Sequence, residues 1–120
     1  MTTVAILGLG ASGDAAARLA LHKGANVYVS DLNDDATSAA RAADLRTLGA
    51  DVELGAHDVA RILAADTVVV SPGIPPRAPV LRELRAAERS WISVPEFAVR
   101  FLPGSLIAGT GPKGRTTPGV

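Results

Sequence analysis

The sequence has no cysteine, few aromatic side chains and no excess of either charge, and each absence excludes a class of protein. Without cysteine there is no disulfide framework and no cysteine-ligated metal site. Twelve basic and twelve acidic residues give a formal net charge of zero, so no general field attracts nucleic acid or an anionic membrane. Any anion that binds here must therefore be held by a local site.

Long apolar runs are also absent. No stretch approaches the length needed to cross a bilayer, and the start MTTVAILGLG lacks the charged segment and the cleavage site of a secretory signal. We therefore expect a cytoplasmic protein with neither membrane nor nucleic acid as a partner. The sequence leaves the oligomeric state open, with a monomer as the working expectation.

Small apolar residues dominate what remains. Apolar residues make up 48% of the chain and aromatic residues only 3%, so Ala, Val, Leu and Ile must build the core. Such side chains favour helices that lie close on a sheet. Short apolar runs alternate with segments of helical periodicity, which predicts right-handed crossovers and a parallel sheet. The fold class is therefore predicted as α/β, a Rossmann-like doubly wound parallel sheet of about five strands with helices on both faces.

The predicted strands are Val4–Leu7, Asn26–Ser30, Asp51–Leu54, Thr67–Val70 and Trp91–Val94. The predicted helices are Ala11–Lys23, a segment from Asn33–Asp35 to about Leu48, a short helix near Asp58–Ala64 and a helix from Pro79 to about Arg89, with a helical turn at Glu96–Phe101. Ser105–Ala108 is a sixth apolar run. These elements divide into a first domain over residues 1–97 and the beginning of a second over residues 98–120.

The glycine-rich segment GLGASG, residues 8–13, follows a predicted strand and opens a predicted helix. In that context Gly8 permits a tight turn, Gly10 lets a phosphate approach the backbone, and Gly13 lets the helix press on the strand. The amides of Ala11 and Ser12 would then point at an anion, and Ser12 adds a hydroxyl donor. The alternative is that the glycines only shape a tight turn.

Asp31 ends the second predicted strand, 18 residues after Gly13. An acidic residue there commonly accepts hydrogen bonds from a ribose, which makes a nicotinamide dinucleotide the first candidate ligand. Asp31 could equally cap the following helix, although Asn33, Asp34 and Asp35 could do so as well.

The segment SPGIPP, residues 71–76, follows the fourth predicted strand. Its position is the edge of the sheet at which open α/β folds bind ligands. Ser71 could donate a hydrogen bond to an oxyanion, and Pro72 and Gly73 could bring backbone against a ligand. A rigid turn into the next helix explains the prolines equally well. We assign no role to His22 or His57, which we interpret as surface residues.

The chain closes on a segment spaced like a P-loop, GTGPKGRTT over residues 109–117. Arg115 stands where a P-loop has lysine, and its planar guanidinium is not equivalent to a compact ammonium group. Pro118 and Gly119 discourage the helix that should follow. From these residues alone we expect a poor ATP site.

Taken in order, VAILGLGASG (4–13), Asp31, SPGIP (71–75), PEF (95–97) and LIAGTGPKGRTT (106–117) resemble the Mur ligases, and among them the D-glutamate-adding enzymes. The resemblance covers nearly all of this chain but only the first domain of the family and the opening of its second. It implies a Rossmann-like domain that binds UDP-N-acetylmuramoyl-L-alanine, followed by a domain that binds ATP and Mg²⁺.

Residue by residue, the resemblance implies that Ala11 and Ser12 hold the diphosphate. It also implies that Asp31, Leu32 and Asn33 meet the uracil end and that Ser71, Pro72 and Gly73 line the same crevice. The phosphates of ATP would fall on Gly111, Lys113, Gly114, Arg115, Thr116 and Thr117. The terminal loop departs from the family pattern T-G-T-K-G-K-S-T at Pro112 and Arg115.

The leading hypothesis is the UDP-sugar-binding portion of a D-glutamate-adding ligase, with the chain a truncated product or fragment. Such a chain should bind substrate without ligating it, and its segment beyond about Pro103 should be loosely held. One alternative is an NAD-binding Rossmann module of an oxidoreductase or regulator. A second is a non-catalytic interaction protein derived from a ligase.

Overall fold

The computed structural model of this chain describes residues 2–101, with five strands and five helices in strict alternation. The strands are β1 (Thr3–Leu7), β2 (Asn26–Asp31), β3 (Asp51–Leu54), β4 (Thr67–Val70) and β5 (Ile92–Ser93). The helices are α1 (Ala11–His22), α2 (Ala36–Thr47), α3 (Val59–Ala64), α4 (Pro79–Ala86) and α5 (Val94–Phe101). The predicted sixth strand, the segment predicted to be loosely held and the terminal loop lie outside the described residues.

All strand pairs of the sheet are parallel, in the order β3-β2-β1-β4-β5. The chain therefore winds outward from β1 to β3, returns to the centre, and winds outward on the other side through β4 and β5. The prediction of a doubly wound parallel sheet is confirmed.

Helices cover both faces of the sheet, because alternate residues of each buried strand point to opposite sides. On one face Val4, Ile6 and Val29 pack with α1, α2 and α5, where Phe97 is fully buried. On the other face Ala5 and Leu7 pack with α3 and α4. The many alanines of α1 and α2 allow the close approach that the composition predicted.

Two predicted boundaries near the end of the described chain are wrong. The fourth helix ends at Ala86 rather than Arg89, and Glu88 takes a positive φ of 58° as the chain leaves it. The fifth strand is only Ile92–Ser93, because Val94 begins α5 with Pro95 in its first turn, a position that proline favours. The sequence predicted a domain boundary after residue 97, which lies inside α5. That boundary stays a prediction. No helix among residues 2–101 is long and apolar enough to span a membrane.

The winding reverses between β1 and β4, and this is where the sheet offers a crevice at the carboxyl ends of its strands. Backbone hydrogen bonds extend the strand pairing one residue past the ends of β1 and β4. The Gly8 amide donates to the Ser30 carbonyl at 2.8 Å, and the Ser71 amide donates to the Leu7 carbonyl at 2.9 Å. The loops after β1 and β4 are thereby anchored side by side.

Candidate functional site

A cleft of about 460 Å³ lies over the reversal point of the sheet. It is formed by the loop after β1, the first turn of α1, the loop after β2, one side of α2 and the loop after β4. Its lining residues are Gly8, Leu9, Gly10, Ala11, Ser12, Asp31, Asn33, Asp35, Thr37, Ser38, Arg41, Ser71, Pro72, Gly73 and Ile74. Seven of the eight residues predicted for the UDP-sugar crevice are therefore brought together in one place.

Two glycines of the glycine-rich segment, Gly8 in the loop after β1 and Gly13 in the first turn of α1, are required by the fold itself. Gly8 has a φ of +98°, and a Cβ atom there would lie 2.3 Å from the Ser71 Oγ atom. At Gly13 a Cβ atom would lie 1.9 Å from the Gly8 carbonyl oxygen. The predicted roles of these residues, a tight turn and close contact between helix and strand, are confirmed.

Gly10 differs from both, since a Cβ atom at this position would meet no atom within 4 Å. Its φ of −86° and ψ of −169° are extended values that any residue adopts. The protein thus places no steric demand on Gly10, and the space beside it opens into the cleft. An absent side chain there leaves room for a group from outside the chain.

Gly10 is also the N-cap of α1, and no side chain caps this helix. The helices α2 and α3 are capped instead by Asp35 and Asp58, whose carboxylates accept hydrogen bonds from the amides of Ser38 and Arg61. A helix start carries partial positive charge and amides that point outward along its axis. The cleft-facing start of α1, with Ala11 and Ser12 in its first turn, is therefore able to receive an anion.

Asp31 holds the two loops on either side of the cleft together. Its Oδ2 atom accepts a hydrogen bond of 2.6 Å from the Leu9 amide, and its Oδ1 atom accepts one of 2.8 Å from the Asn33 amide. The cap of α2 is Asp35, so the alternative in which Asp31 caps that helix is wrong. Both oxygens keep a lone pair that a ligand hydroxyl or amide could use.

In the loop after β2, side-chain oxygens accept hydrogen bonds from the loop's own backbone amides. After the Asp31 bond to Asn33, the Asn33 Oδ1 atom accepts from the Asp35 amide at 3.0 Å, and Asp35 Oδ1 accepts from the Ser38 amide at 2.8 Å. The Ser38 hydrogen bond is the main reason why the pKa of Asp35 is lowered. Asn33 lines the cleft, and its side-chain amide nitrogen can act there as a donor.

The loop after β4 supplies the opposite wall. Ser71 is only 4% exposed, and its carbonyl accepts a hydrogen bond of 3.1 Å from the Ile74 amide, which closes a turn over Pro72 and Gly73. A Cβ atom on Gly73 would lie 3.8 Å from the Ser71 Oγ atom, an ordinary contact. Residues 71–74 thus form a rigid turn and also line the cleft. The two interpretations of this segment, a turn into the next helix and a wall of a ligand site, do not exclude each other.

Leu32 is the predicted site residue that the structure does not bring into the cleft. Its side chain is 57% exposed and is not part of the lining. The role given to it by the resemblance stays a prediction. The six residues predicted for ATP phosphates lie outside residues 2–101, so that role also stays a prediction.

Sequence reasoning missed the contribution of α2. Thr37, Ser38 and Arg41 all line the cleft, and the Arg41 Nη1 atom lies 3.4 Å from the Leu9 carbonyl oxygen. The sequence placed these residues on a helix but gave no sign of which side of that helix meets the cleft.

His57 is not the plain surface residue that the sequence indicated. Its Nδ1 atom lies 2.6 Å from the Oγ atom of Ser30, which is fully buried at the end of β2. Burial lowers the pKa of His57, partly offset by the negative charges of Asp31 and Glu53. The neutral ring is thereby favoured as a partner for the serine hydroxyl.

Tyr28 lies at the centre of a second polar cluster, away from the cleft. Its hydroxyl donates to Glu53 at 2.7 Å and accepts from the Asp58 amide at 2.9 Å, and the Arg61 guanidinium lies over its ring. Burial and the Glu53 hydrogen bond raise the pKa of Tyr28 to about 12. The phenol therefore stays protonated, as a structural link between β2, β3 and α3.

The described residues contain no cluster of side chains suited to binding a metal ion. Within residues 2–101 no three His, Asp or Glu side chains lie close enough together to hold an ion. What the cleft offers is amides, hydroxyls, two carboxylates and one guanidinium.

A family model described as the Mur ligase MurD-like N-terminal domain matches residues 2–93, most of the described chain. The chain belongs to this family. The match includes the glycine loop, Asp31 and Ser71–Gly73, so the resemblance to Mur ligases seen in the sequence is confirmed.

Two similar curated proteins carry the same name. The UDP-N-acetylmuramoylalanine–D-glutamate ligase of Desulfatibacillum aliphaticivorans is 40% identical over 114 residues, covering 95% of this chain and 25% of that protein. The protein of the same name from Geotalea uraniireducens is 42% identical, with the same coverage. The chain thus spans about a quarter of the length of the curated relatives it matches.

Solved structures agree on the fold of this MurD-like domain. A murein peptide ligase from Psychrobacter arcticus superposes with a TM-score of 0.71 at 24% identity, over 83% of this chain and 20% of that one. The UDP-N-acetylmuramate-alanine ligase MurC from Thermotoga maritima gives a TM-score of 0.65 at 20% identity, over 81% of this chain and 22% of that one.

Proposed function

We propose that the chain binds UDP-N-acetylmuramoyl-L-alanine in the cleft over the sheet reversal. It would act as the substrate-binding portion of a D-glutamate-adding ligase of peptidoglycan synthesis in the cytoplasm. The observation that carries the proposal is the uncapped start of α1 facing a cleft lined by the family's own segments. The name of the relatives supplies the substrate, since those proteins are D-glutamate ligases.

Each wall of the cleft would contact a different part of the ligand. The first-turn amides of α1, at Ala11 and Ser12, would hold the diphosphate, and the Gly10 position gives it room. Asp31 and the Asn33 amide group would meet the uracil, which presents both donors and acceptors. Ser71 to Gly73 would border the sugar on the opposite side.

The complete reaction needs more than this cleft. In a ligase of this type ATP phosphorylates the substrate carboxylate and ADP leaves. The amine of D-glutamate then attacks the acyl carbon, phosphate leaves, and the amine loses a proton. The described residues offer binding groups for the UDP-sugar, so the isolated chain is expected to bind without ligating. Gly111, Lys113, Gly114, Arg115, Thr116 and Thr117 remain the proposed contacts for ATP and its Mg²⁺.

The test is a calorimetric titration of the full chain with UDP-N-acetylmuramoyl-L-alanine, with NAD and ATP as parallel ligands. We expect selective binding of the UDP-sugar, weakened in Ser12→Ala and in Gly73→Ala. Ser12 is only partly buried, and Gly73 is exposed with room for a Cβ atom. Thermal unfolding of the two variants should therefore match that of the unmodified chain. Binding of NAD alone would contradict the proposal.

NAD is kept as a control rather than as a second proposal. Its case rests on the glycine loop and Asp31, which lie within the residues matched by the MurD-like family model, and nothing in the loop after β4 favours it.

A further inference from the structure

Arg41 occupies an unusual position among the charged residues of the described chain. It lies in the second turn of α2, is partly buried, and lines the cleft with its guanidinium beside the glycine loop. Its hydrogen bond, from Nη1 to the Leu9 carbonyl oxygen, is 3.4 Å long. A bond of that length is weak and can be exchanged at little cost for a better acceptor.

Three arginines of the helices, Arg18, Arg61 and Arg100, have carboxylate partners, whereas Arg41 has none among the described residues. Arg18 lies 3.0 Å from Asp14, and Arg61 lies 2.8 Å from Asp51. Within residues 2–101 no carboxylate oxygen lies within 4.0 Å of the Arg41 guanidinium. Asp35 feels its charge only from farther away.

The charge balance of the cleft favours a role for the Arg41 guanidinium in binding an anion. Among the described lining residues, Asp31 and Asp35 are acidic and Arg41 is the one basic side chain. A diphosphate brings further negative charge into a site that already holds two carboxylates. The partial charge at the start of α1 alone is a weak counterweight to that total.

We propose that Arg41 binds the diphosphate of the nucleotide-sugar, closing over the ligand from α2 while the start of α1 holds it from below. This inference rests on the proposed function, and it names the charged residue that favours a nucleoside diphosphate over an uncharged nucleoside. A guanidinium suits this task because its planar N–H groups can bind two phosphate oxygens at once. The long contact to Leu9 is then the resting position of the side chain.

The experiment measures binding of UDP and of UMP to the full chain by calorimetry, in Arg41→Gln, Arg41→Lys and the unmodified protein. Arg82→Gln is the matched control, because it removes the same charge from an exposed site on α4, away from the cleft. We expect Arg41→Gln to weaken UDP binding by about 10- to 100-fold, the usual range for a charge-assisted hydrogen bond. Arg41→Lys should restore part of the loss, and Arg82→Gln should change UDP binding less than about twofold.

Three further readouts separate a direct contact from a structural role. The loss of UDP binding in Arg41→Gln should shrink as salt is raised, because screening weakens the lost interaction in the unmodified chain. The same variant should weaken UMP binding less than UDP binding. Thermal unfolding without ligand should be the same for Arg41→Gln and Arg82→Gln.

The outcomes are distinguishable. If the unmodified chain binds UDP-N-acetylmuramoyl-L-alanine and Arg41→Gln binds UDP equally well, the role of Arg41 is overturned and the proposed function stands. An equal loss for UDP and UMP, or a loss that salt does not change, also overturns the diphosphate contact. If the unmodified chain binds neither UDP nor the UDP-sugar, both proposals fail together.

Discussion

The two loops that flank the cleft meet the hydrogen-bonding needs of their backbones in opposite ways. The loop between β2 and α2 uses its own side chains, from Asp31 through Asn33 to Asp35, to satisfy one amide after another. The loop between β1 and α1 has glycines instead and leaves the start of its helix without a side-chain cap. The first loop therefore supplies acceptors for its own amides, and the second leaves the first amides of α1 without a side-chain acceptor, as the proposed anion site requires.

The glycine loop itself contains the same contrast on a smaller scale. Gly13 is enclosed by backbone, whereas Gly10 borders open space. The fold needs the absence of a side chain at Gly13, and the proposed ligand needs it at Gly10. Substitutions can separate the two needs, and the expected effects run from several kcal/mol downward.

Gly13→Ala should have the largest effect. Its Cβ atom would lie 1.9 Å from the Gly8 carbonyl oxygen, so α1 would have to move away from β1. We expect the free energy of unfolding to fall by about 3–5 kcal/mol, the range of severe packing defects. Denaturant titration followed by circular dichroism measures it. A loss below about 1 kcal/mol would mean that the helix and strand are not held together here.

Asp31→Ala should come next, because it removes the link between the two loops. The Leu9 amide would lose its partner, and the Asn33 amide would lose the first of the side-chain acceptors. We expect a loss of about 2 kcal/mol in the free energy of unfolding, the cost of leaving such groups unsatisfied. Asp34→Ala is the matched control, since Asp34 is an exposed neighbour whose side chain makes no hydrogen bond within residues 2–101. Equal losses in the two variants would contradict this account of the scaffold.

Gly10→Ala should affect binding rather than folding. Its backbone conformation suits alanine and no atom lies near the new methyl group, so stability should change by less than about 1 kcal/mol and in the stabilising direction. The methyl group would occupy the space proposed for the diphosphate. We expect UDP-sugar affinity to fall on the order of tenfold or more, a loss of about 1.4 kcal/mol. Unchanged affinity in calorimetry would place the diphosphate elsewhere.

Asp35→Ala should give the smallest effect, and one that depends on pH. The Ser38 hydrogen bond holds the pKa of Asp35 below its usual range, so the ionised cap stabilises the folded chain. This contribution is present above the pKa of the unfolded chain, about 4, and is lost as pH falls through the lower folded value. The variant should therefore be less stable than the unmodified chain at pH 7, and the difference should shrink toward pH 2. A difference that grows as pH falls would contradict the assignment of the cap.

The sequence predicted the central sheet well because its signals there are strong and local. Asp51–Leu54 and Thr67–Val70 are bounded by clear breaks and match β3 and β4 residue for residue. The glycine loop was also readable, since the turn after β1 requires Gly8 and the contact with β1 requires Gly13. Ambiguity began where an apolar run was short, as at Val94, which could continue a strand or begin a helix.

The candidate site was only partly predictable. Motif positions indicated the walls after β1, β2 and β4, which meet because parallel strands end at one edge. Arg41 was missed because the face a helix presents depends on where the helix starts and how it packs, and α2 begins only at Ala36. Leu32 follows Asp31 directly, yet its side chain points to solvent, which motif spacing does not reveal.

The most direct test of the central claim is a nuclear magnetic resonance titration of the ¹⁵N-labelled chain with UDP-N-acetylmuramoyl-L-alanine. It compares the open helix start with a capped one. We predict that the largest amide shifts fall on Ala11, Ser12 and Gly73, while the amide of Arg61 at the Asp58-capped start of α3 stays in place. Shifts concentrated around α3 and Tyr28, or no shifts at the start of α1, would contradict the claim that the uncapped helix over the sheet reversal is the binding site.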